Sequence, residues 1–283
     1  MKIRESELDR ITEYENGVKT YPFLSLEDER VLALFTTRIG GVSPDYYGSL
    51  NLGLSTGDSA EHVRANFERL AEAIGISADQ MVTAAQTHTK NIRIITAEDA
   101  GKGVTRPKDY ANIDGLITNV PGICLTTSHA DCNPVLLYDP VAGAIGAVHS
   151  GWMGTLQNIT AEAVHAMEKA YGTSPCNLRA AIGPALCRDC FEVDLDVADR
   201  FLAAYPYLAE DTGLLVYRGQ KAYIDLKGII KRELVSLGLP EEGIEVSGLC
   251  TKEEPELFFS HRRSGTKRGL MAAAILLREV ENA

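Results

Sequence analysis

The chain has 283 residues, 45% hydrophobic and 24% charged, an ordinary globular composition that allows a sizeable core and excludes a disordered chain. Its formal net charge of −11 speaks against a nucleic-acid backbone or an anionic membrane as partner, yet leaves a small anionic substrate open to a local arginine cluster. The polar start Met1–Arg10 lacks the apolar core of a secretory signal, the longest apolar runs such as Gly269–Leu277 are too short to span a bilayer, and six thinly spread cysteines point to reduced thiols in a cytoplasm.

In chain order, Val31–Thr37 reads as the first strand. Ser59–Ile74 reads as a helix with Val63, Phe67, Leu70, Ala71 and Ile74 on one face; Asp58-Ser-Ala-Glu61 fits a capping box and Gly75 a left-handed stop. Strands are expected at Met81–Ala85 and Ile92–Thr96, followed by a loop, Ala97–Asn112, long enough for an active-site lid. Gly115–Thr118, Gly122–Thr127, Val135–Tyr138 and Ala144–His149 are further strands. A helix over Thr155–Tyr171 then turns Ile159, Ala163, Met167 and Ala170 inward and stops at Gly172. Leu178–Ile182, Ile244–Leu249 and Leu257–Ser260 complete the strands, and Asp194–Tyr205 and Ile224–Leu237 the helices. Helices follow groups of strands instead of alternating with them, which predicts one layered α+β domain over residues 1–283 rather than a doubly wound sheet. No glycine-rich nucleotide fingerprint follows any strand.

The chemistry concentrates where apolar runs end. Cys132 closes Thr126-Thr-Ser-His-Ala-Asp-Cys132, and His149, 17 positions on, opens His149-Ser-Gly-Trp-Met-Gly154. A thiol and an imidazole at strand ends can form a nucleophile–base pair or two legs of a metal site. His88, in Gln86-Thr-His88, is a third candidate. Alone, His88 reads as a surface residue and Cys132 as a small buried hydrophobe; together the three offer two nitrogens and one sulfur, a set suited to zinc with an open fourth position. Their separations of 44 and 17 residues match no metal signature, so the residues leave both readings open. Asp131 can orient an imidazole, act as acid or base, or simply cap a strand end. Cys187-Arg-Asp-Cys190 is a lone C-x-x-C and reads as a turn with two incidental thiols. Arginines cluster in Ser260-His-Arg-Arg-Ser-Gly-Thr-Lys-Arg268, and Arg38 opens the Gly40-Gly41 turn; in a net-acidic chain this basic stretch reads as an anion pocket. A multicopper centre is excluded on ligand supply: there are six histidines, no His-x-His pair, and His62 and His165 fall on helices.

Seven segments in order, Thr36-Thr-Arg-Ile-Gly-Gly-Val-Ser43, Ser49-Leu-Asn-Leu-Gly53, Gln86-Thr-His88, Ala130-Asp-Cys132-Asn-Pro, His149-Ser-Gly-Trp152, Ala181-Ile-Gly-Pro184 and Phe258-Phe-Ser-His-Arg-Arg263, resemble the laccase-domain (polyphenol oxidase) family, whose members are described as zinc-containing purine nucleoside phosphorylases. The resemblance covers about residues 30–278. It implies an α/β/β/α layered domain similar to that of a toxin-type Cys–His deamidase, and one zinc held by His88, Cys132 and His149. It also implies activity on adenosine, inosine and methylthioadenosine with phosphate, and adenosine deamination beside it. The chain departs from the family in Met153, where an arginine is usual, and in His129, an extra imidazole near the cysteine.

The resulting expectation is phosphorolysis to base and ribose 1-phosphate. Cys132, His149 and Asp131 lie at the reacting centre, Arg38, Arg262, Arg263 and Arg268 grip phosphate, and Asn51 and Gln86 bond the substrate. The alternatives are a metal-free Cys–His hydrolase or amidase, for instance on cell-wall precursors, and a non-catalytic metal-binding module.

Overall fold

The computed structural model describes residues 6–279; residues 1–5 of the polar start and 280–283 lie outside the described residues. In chain order the strands are β1 (Thr12–Glu13), β2 (Lys19–Pro22), β3 (Val31–Thr36), β4 (Met81–Thr83), β5 (Ile92–Ile94), β6 (Gly115–Thr118), β7 (Cys124–His129) and β8 (Asn133–Asp139). They continue with β9 (Ala144–Ser150), β10 (Arg179–Ile182), β11 (Glu192–Val193), β12 (Leu215–Arg218), β13 (Lys221–Ile224), β14 (Ile244–Val246) and β15 (Met271–Leu277). One six-stranded sheet runs β1-β2-β3-β15-β7-β4 and a second runs β14-β10-β8-β9-β6-β5, while β11-β13-β12 form a small third sheet.

Side-chain alternation builds the layers. Val31, Ala33 and Phe35 of β3 and Ala273 and Ile275 of β15 meet Leu136 and Tyr138 of β8 and Ile145 and Ala147 of β9 between the two large sheets. The opposite faces are covered by helices. Leu34, Ala272, Ala274 and Leu276 pack on Val63, Phe67 and Leu70 of the Ala60–Ala73 helix. Val135, Leu137, Val148 and Ile182 pack on Ile159, Ala163 and Met167 of the Ile159–Tyr171 helix and on Ile230 and Leu234 of the Leu226–Ser236 helix. Strands buried on both faces read as continuous apolar runs rather than as alternation. Every residue of β8, β9 and β15 is buried.

Several local expectations are corrected. Leu257–Ser260 is irregular rather than a strand, because neighbouring Phe258 and Phe259 are both buried instead of alternating. The strand in that part of the chain is β15, inside the apolar run read only for its length. The expected helix over Thr155–Tyr171 is two, Trp152–Leu156 and Ile159–Tyr171, broken at Asn158, which sits at φ 53 and caps Ala161 N–H with its side chain. Ala170 on the second is exposed. Ser59, not Asp58, caps the Ala60–Ala73 helix; Asp58 accepts bonds from Ser43 and Asn51 instead. Ile224 belongs to β13, not to the following helix. The stretch Ala97–Asn112 is no free lid: Lys102 bridges Asp99 and Asp109 at 2.8 Å each, Lys108 donates to the Ala84 carbonyl and Tyr110 to that of Thr83.

Candidate active site

The site forms where the chain crosses between the two large sheets. β7 in the first sheet leads through Ala130-Asp131-Cys132 to β8 in the second, and β4 leads through the His88 turn to β5. Both crossings lie beside the end of β9, where His149 pairs with Pro134 and Ser150 with Asn133. Asp131 at φ 92 and His88 at φ 63 turn these links in left-handed backbone, unusual for non-glycine residues. Three residues distant in sequence thereby meet: ligand-capable atoms of His88, Cys132 and His149 all lie within 4.8 Å of one another, with Cys132 Sγ 3.9 Å from His88 Nε2.

Asp114, which sequence reasoning missed, organises the cluster. Its carboxylate accepts the backbone N–H groups of Thr87, His88 and Thr89 at 3.1, 3.0 and 2.8 Å, and the Thr89 hydroxyl at 2.8 Å. It also lies 2.8 Å from His149 Nδ1, while the Asp114 carbonyl accepts His149 N–H. With Nδ1–H given to Asp114, His149 keeps Nε2 free for the thiol or a cation. Burial pushes the Asp114 carboxyl up, but His149 and the N–H donors hold it at about 2. Burial would lower His149; the Cys132 charge and the Asp114 bond raise it to about 9. Cys132 is raised by burial and pulled down further by the His149 charge and by bonds from both histidines, to about 6. The pair is thus biased toward thiolate and imidazolium. Nothing in the sequence marks Asp114 except its place just before β6.

Asp131 does not orient an imidazole. Its oxygens accept the Thr251 hydroxyl at 2.7 Å and Arg262 N–H at 2.6 Å, so it tethers the basic segment to the strand crossing. His129 shapes the site without free nitrogens: Nε2 lies 2.8 Å from the Thr127 hydroxyl and Nδ1 3.1 Å from the Cys132 carbonyl. Burial, then the His149 charge, drive its pKa well below the ordinary value, so it is neutral.

An open pocket of about 800 Å³ faces the cluster, lined by His88, Asp131, Cys132 and His149, by Gln86, Lys108 and Met153, and by His261, Arg262 and Arg268. Five of the residues expected to touch substrate have hydrogen-bond partners within the chain. Arg38 gives Nε to the Gly48 carbonyl and Nη1 to that of Pro255; Arg263 bonds the carbonyls of Thr251, Lys252 and Phe258. Asn51, fully buried, bonds Thr56, Asp58, Gly53 and Leu270. None of these three lines the pocket. Gln86 does, but both ends of its amide pair with the Ser128 backbone at 2.7 Å. Arg262 gives Nη1 to the Glu192 carbonyl. Arg268 differs: its buried Nε has no partner among the described residues, and burial lowers its pKa against the pull of Asp131 and Cys132.

The donor set fits a borderline-soft divalent cation, with two imidazoles and a thiolate leaving a position open toward the pocket. Space is kept for it by Gly151, where a Cβ would meet His88 Cδ2 at 2.8 Å and Cys132 Sγ at 3.1 Å.

Among known proteins, purine nucleoside phosphorylase YlmD of Bacillus subtilis (strain 168) is 37% identical over 258 residues, covering 89% of this chain and 90% of that one. Adenosine deaminase RL5, from an unknown prokaryotic organism, is 33% identical over 245 residues, 85% and 92% of the two chains. The crystal structure of the Bacillus licheniformis hypothetical protein YfiH shares this mixed α+β fold with a TM-score of 0.87 at 36% identity, covering 95% of this chain and 100% of its own. A family model described as multi-copper polyphenol oxidoreductase laccase matches residues 32–278, and the chain belongs to that family.

Proposed function

We propose that this protein is a purine nucleoside phosphorylase that transfers the ribosyl group of adenosine, inosine or methylthioadenosine to phosphate, with adenosine deamination as a companion activity. The observation that carries the reading is Arg268, half-buried, whose Nε has no hydrogen-bond partner among the described residues, on the pocket that holds the His88–Cys132–His149 cluster. One relative named a purine nucleoside phosphorylase and another named an adenosine deaminase agree with it. Zinc held by His88, Cys132 and His149 would supply Lewis acidity and water activation.

The chain's own groups account for the rest. Arg268, with Arg262 lining the same pocket, holds the phosphate anion, as a guanidinium fork does in a half-desolvated pocket. Leu54, Leu186, Phe191 and Leu270 present apolar surface for the flat base. His149, its Nδ1–H given to Asp114, would hold the metal through Nε2, and Asp114 fixes its tautomer and ring orientation. Asp131 positions Arg262 through its backbone rather than reacting. The paired sheets covered by helices support a single α/β/β/α domain over 1–283, similar to the toxin-type Cys–His deamidases. Free thiols among all six cysteines support a reducing, cytoplasmic setting.

A second reading has one specific observation in its favour: the Cys132 thiol near 6, His149 near 9 and Asp114 form a thiolate–imidazolium–carboxylate series that also suits an amidase. Metal analysis of fresh protein, with chromatography of products from adenosine and phosphate, separates the two. Zinc that falls by about one equivalent per chain in Cys132→Ala, with formation of adenine and ribose 1-phosphate lost in the same variant, supports phosphorolysis. Undiminished turnover of an amide substrate in chelator, with alkylation of Cys132, supports the amidase.

A further inference from the structure

We propose that Cys187, Cys190 and Cys250 form a second metal site, distinct from the pocket cluster, that takes a soft divalent cation of the zinc type. The lone C-x-x-C reads as incidental in sequence because its partner lies 60 residues further on. Folding brings that partner in. A single 3-10 turn over Arg188–Cys190 sets the first two thiols on one loop, and a parallel bridge from Ala185 to Cys250 delivers the third. The three sulfurs lie within 4.8 Å of one another; Cys190 and Cys250 are buried and Cys187 is half-buried.

The surroundings suit bound thiolates. Cys250 Sγ accepts Cys187 N–H at 3.4 Å, an N–H···S contact that favours a charged sulfur. A cation lets three thiols this close together ionise at once. Glu253 Oε1 lies 3.8 Å from Cys190 Sγ, at the edge of the three-sulfur cluster, where a fourth position stays open. The buried Lys227 ammonium, tied to the Ser247 and Leu249 carbonyls, offsets part of the negative charge.

None of the three cysteines lines the pocket, yet the loops they join do. Leu186 and Phe191 flank the first pair, and the segment from Cys250 leads to His261 and Arg262. The cation would brace one wall of the pocket without meeting substrate.

The test uses Cys132→Ala, which removes a ligand of the pocket cluster and leaves the three cysteines intact. The variant, purified with reductant and shown folded by circular dichroism, is titrated with cobalt(II) after metal removal. One cobalt per chain, with a thiolate-to-metal absorption about three times that of a single-thiolate site, supports the proposal. No such band overturns it. In wild-type protein, mapping by mass spectrometry should find Cys187, Cys190 and Cys250 protected from alkylation until chelator is added. Alkylation of all three without chelator, or a disulfide between any two of them, would overturn the proposal even if the variant did not fold.

Discussion

Replacing Asp114 by Asn should damage the pocket cluster although Asp114 is not itself among the residues that line the pocket. The carboxylate accepts bonds from Thr87 N–H, His88 N–H, Thr89 N–H, the Thr89 hydroxyl and His149 Nδ1–H. An amide keeps one acceptor oxygen and turns an NH₂ toward groups that are themselves donors. A carboxyl held at about 2 instead of 3.8 contributes about 2.4 kcal/mol at neutral pH, at 1.36 kcal/mol per pH unit. Since the folded-state pKa is depressed, this stability is present above about 3.8 and lost as pH falls toward 2. For a chain of 283 residues that corresponds to a melting temperature lower by about 4 °C. The larger signature is in metal binding. Without Asp114, His149 is free to place its proton on either nitrogen, and metal affinity should fall about 10–100-fold. Competition with a chromophoric chelator reads the affinity, and calorimetry the melting temperature. Asp131→Asn is the control: it loosens the bonds to Thr251 and Arg262 and should lower melting while leaving metal affinity within about threefold. Wild-type affinity in Asp114→Asn would refute the assignment of Asp114 as the group that orients His149.

Three further outcomes follow from the geometry. Gly151→Ala drives a Cβ against His88 and Cys132 and should weaken metal binding at least about tenfold by the same competition assay, with its allowed φ of −70 leaving the fold intact; unchanged affinity would show the space is not needed. Arg268→Gln should raise the KM for phosphate about 10- to 100-fold, the equivalent of one charge-assisted bond, whereas Arg38→Met should lower melting with little effect on phosphate; equal phosphate effects would count against Arg268 as the anion site. Asp99→Asn, which removes a carboxylate bonded to Arg93, Thr96 and Lys102 and held below its ordinary range, should lower melting at pH 7, and the gap to wild type should close as pH drops through the carboxylate range.

The sequence made the core helices legible because Ala60–Ala73 and Ile159–Tyr171 keep one apolar face and end in left-handed Gly75 and Gly172. It made His88, Cys132 and His149 legible as chemistry because polar residues close apolar runs. It could not show β15, whose Ala272–Ala273–Ala274 favours helix until β3 and β7 pair with it. Nor could it sort the arginines: Arg38 and Arg263 carry the same charge as Arg268, and only carbonyls brought near by folding engage them. Asp114 and Cys250 escaped notice for one reason. Each acts on residues many positions away, and neither carries a local pattern that announces it.

The placement of β15 bears on how the chain is made. It comes last of the strands in chain order among the described residues, yet it sits in the middle of its sheet with β3 on one side and β7 on the other. Until it emerges from the ribosome, both neighbours present bare, apolar edges, the kind of surface that pairs with other chains. Nascent protein therefore depends on protection during synthesis up to the final strand, and a ribosome that stalls before Met271 leaves a product prone to aggregate rather than a smaller enzyme.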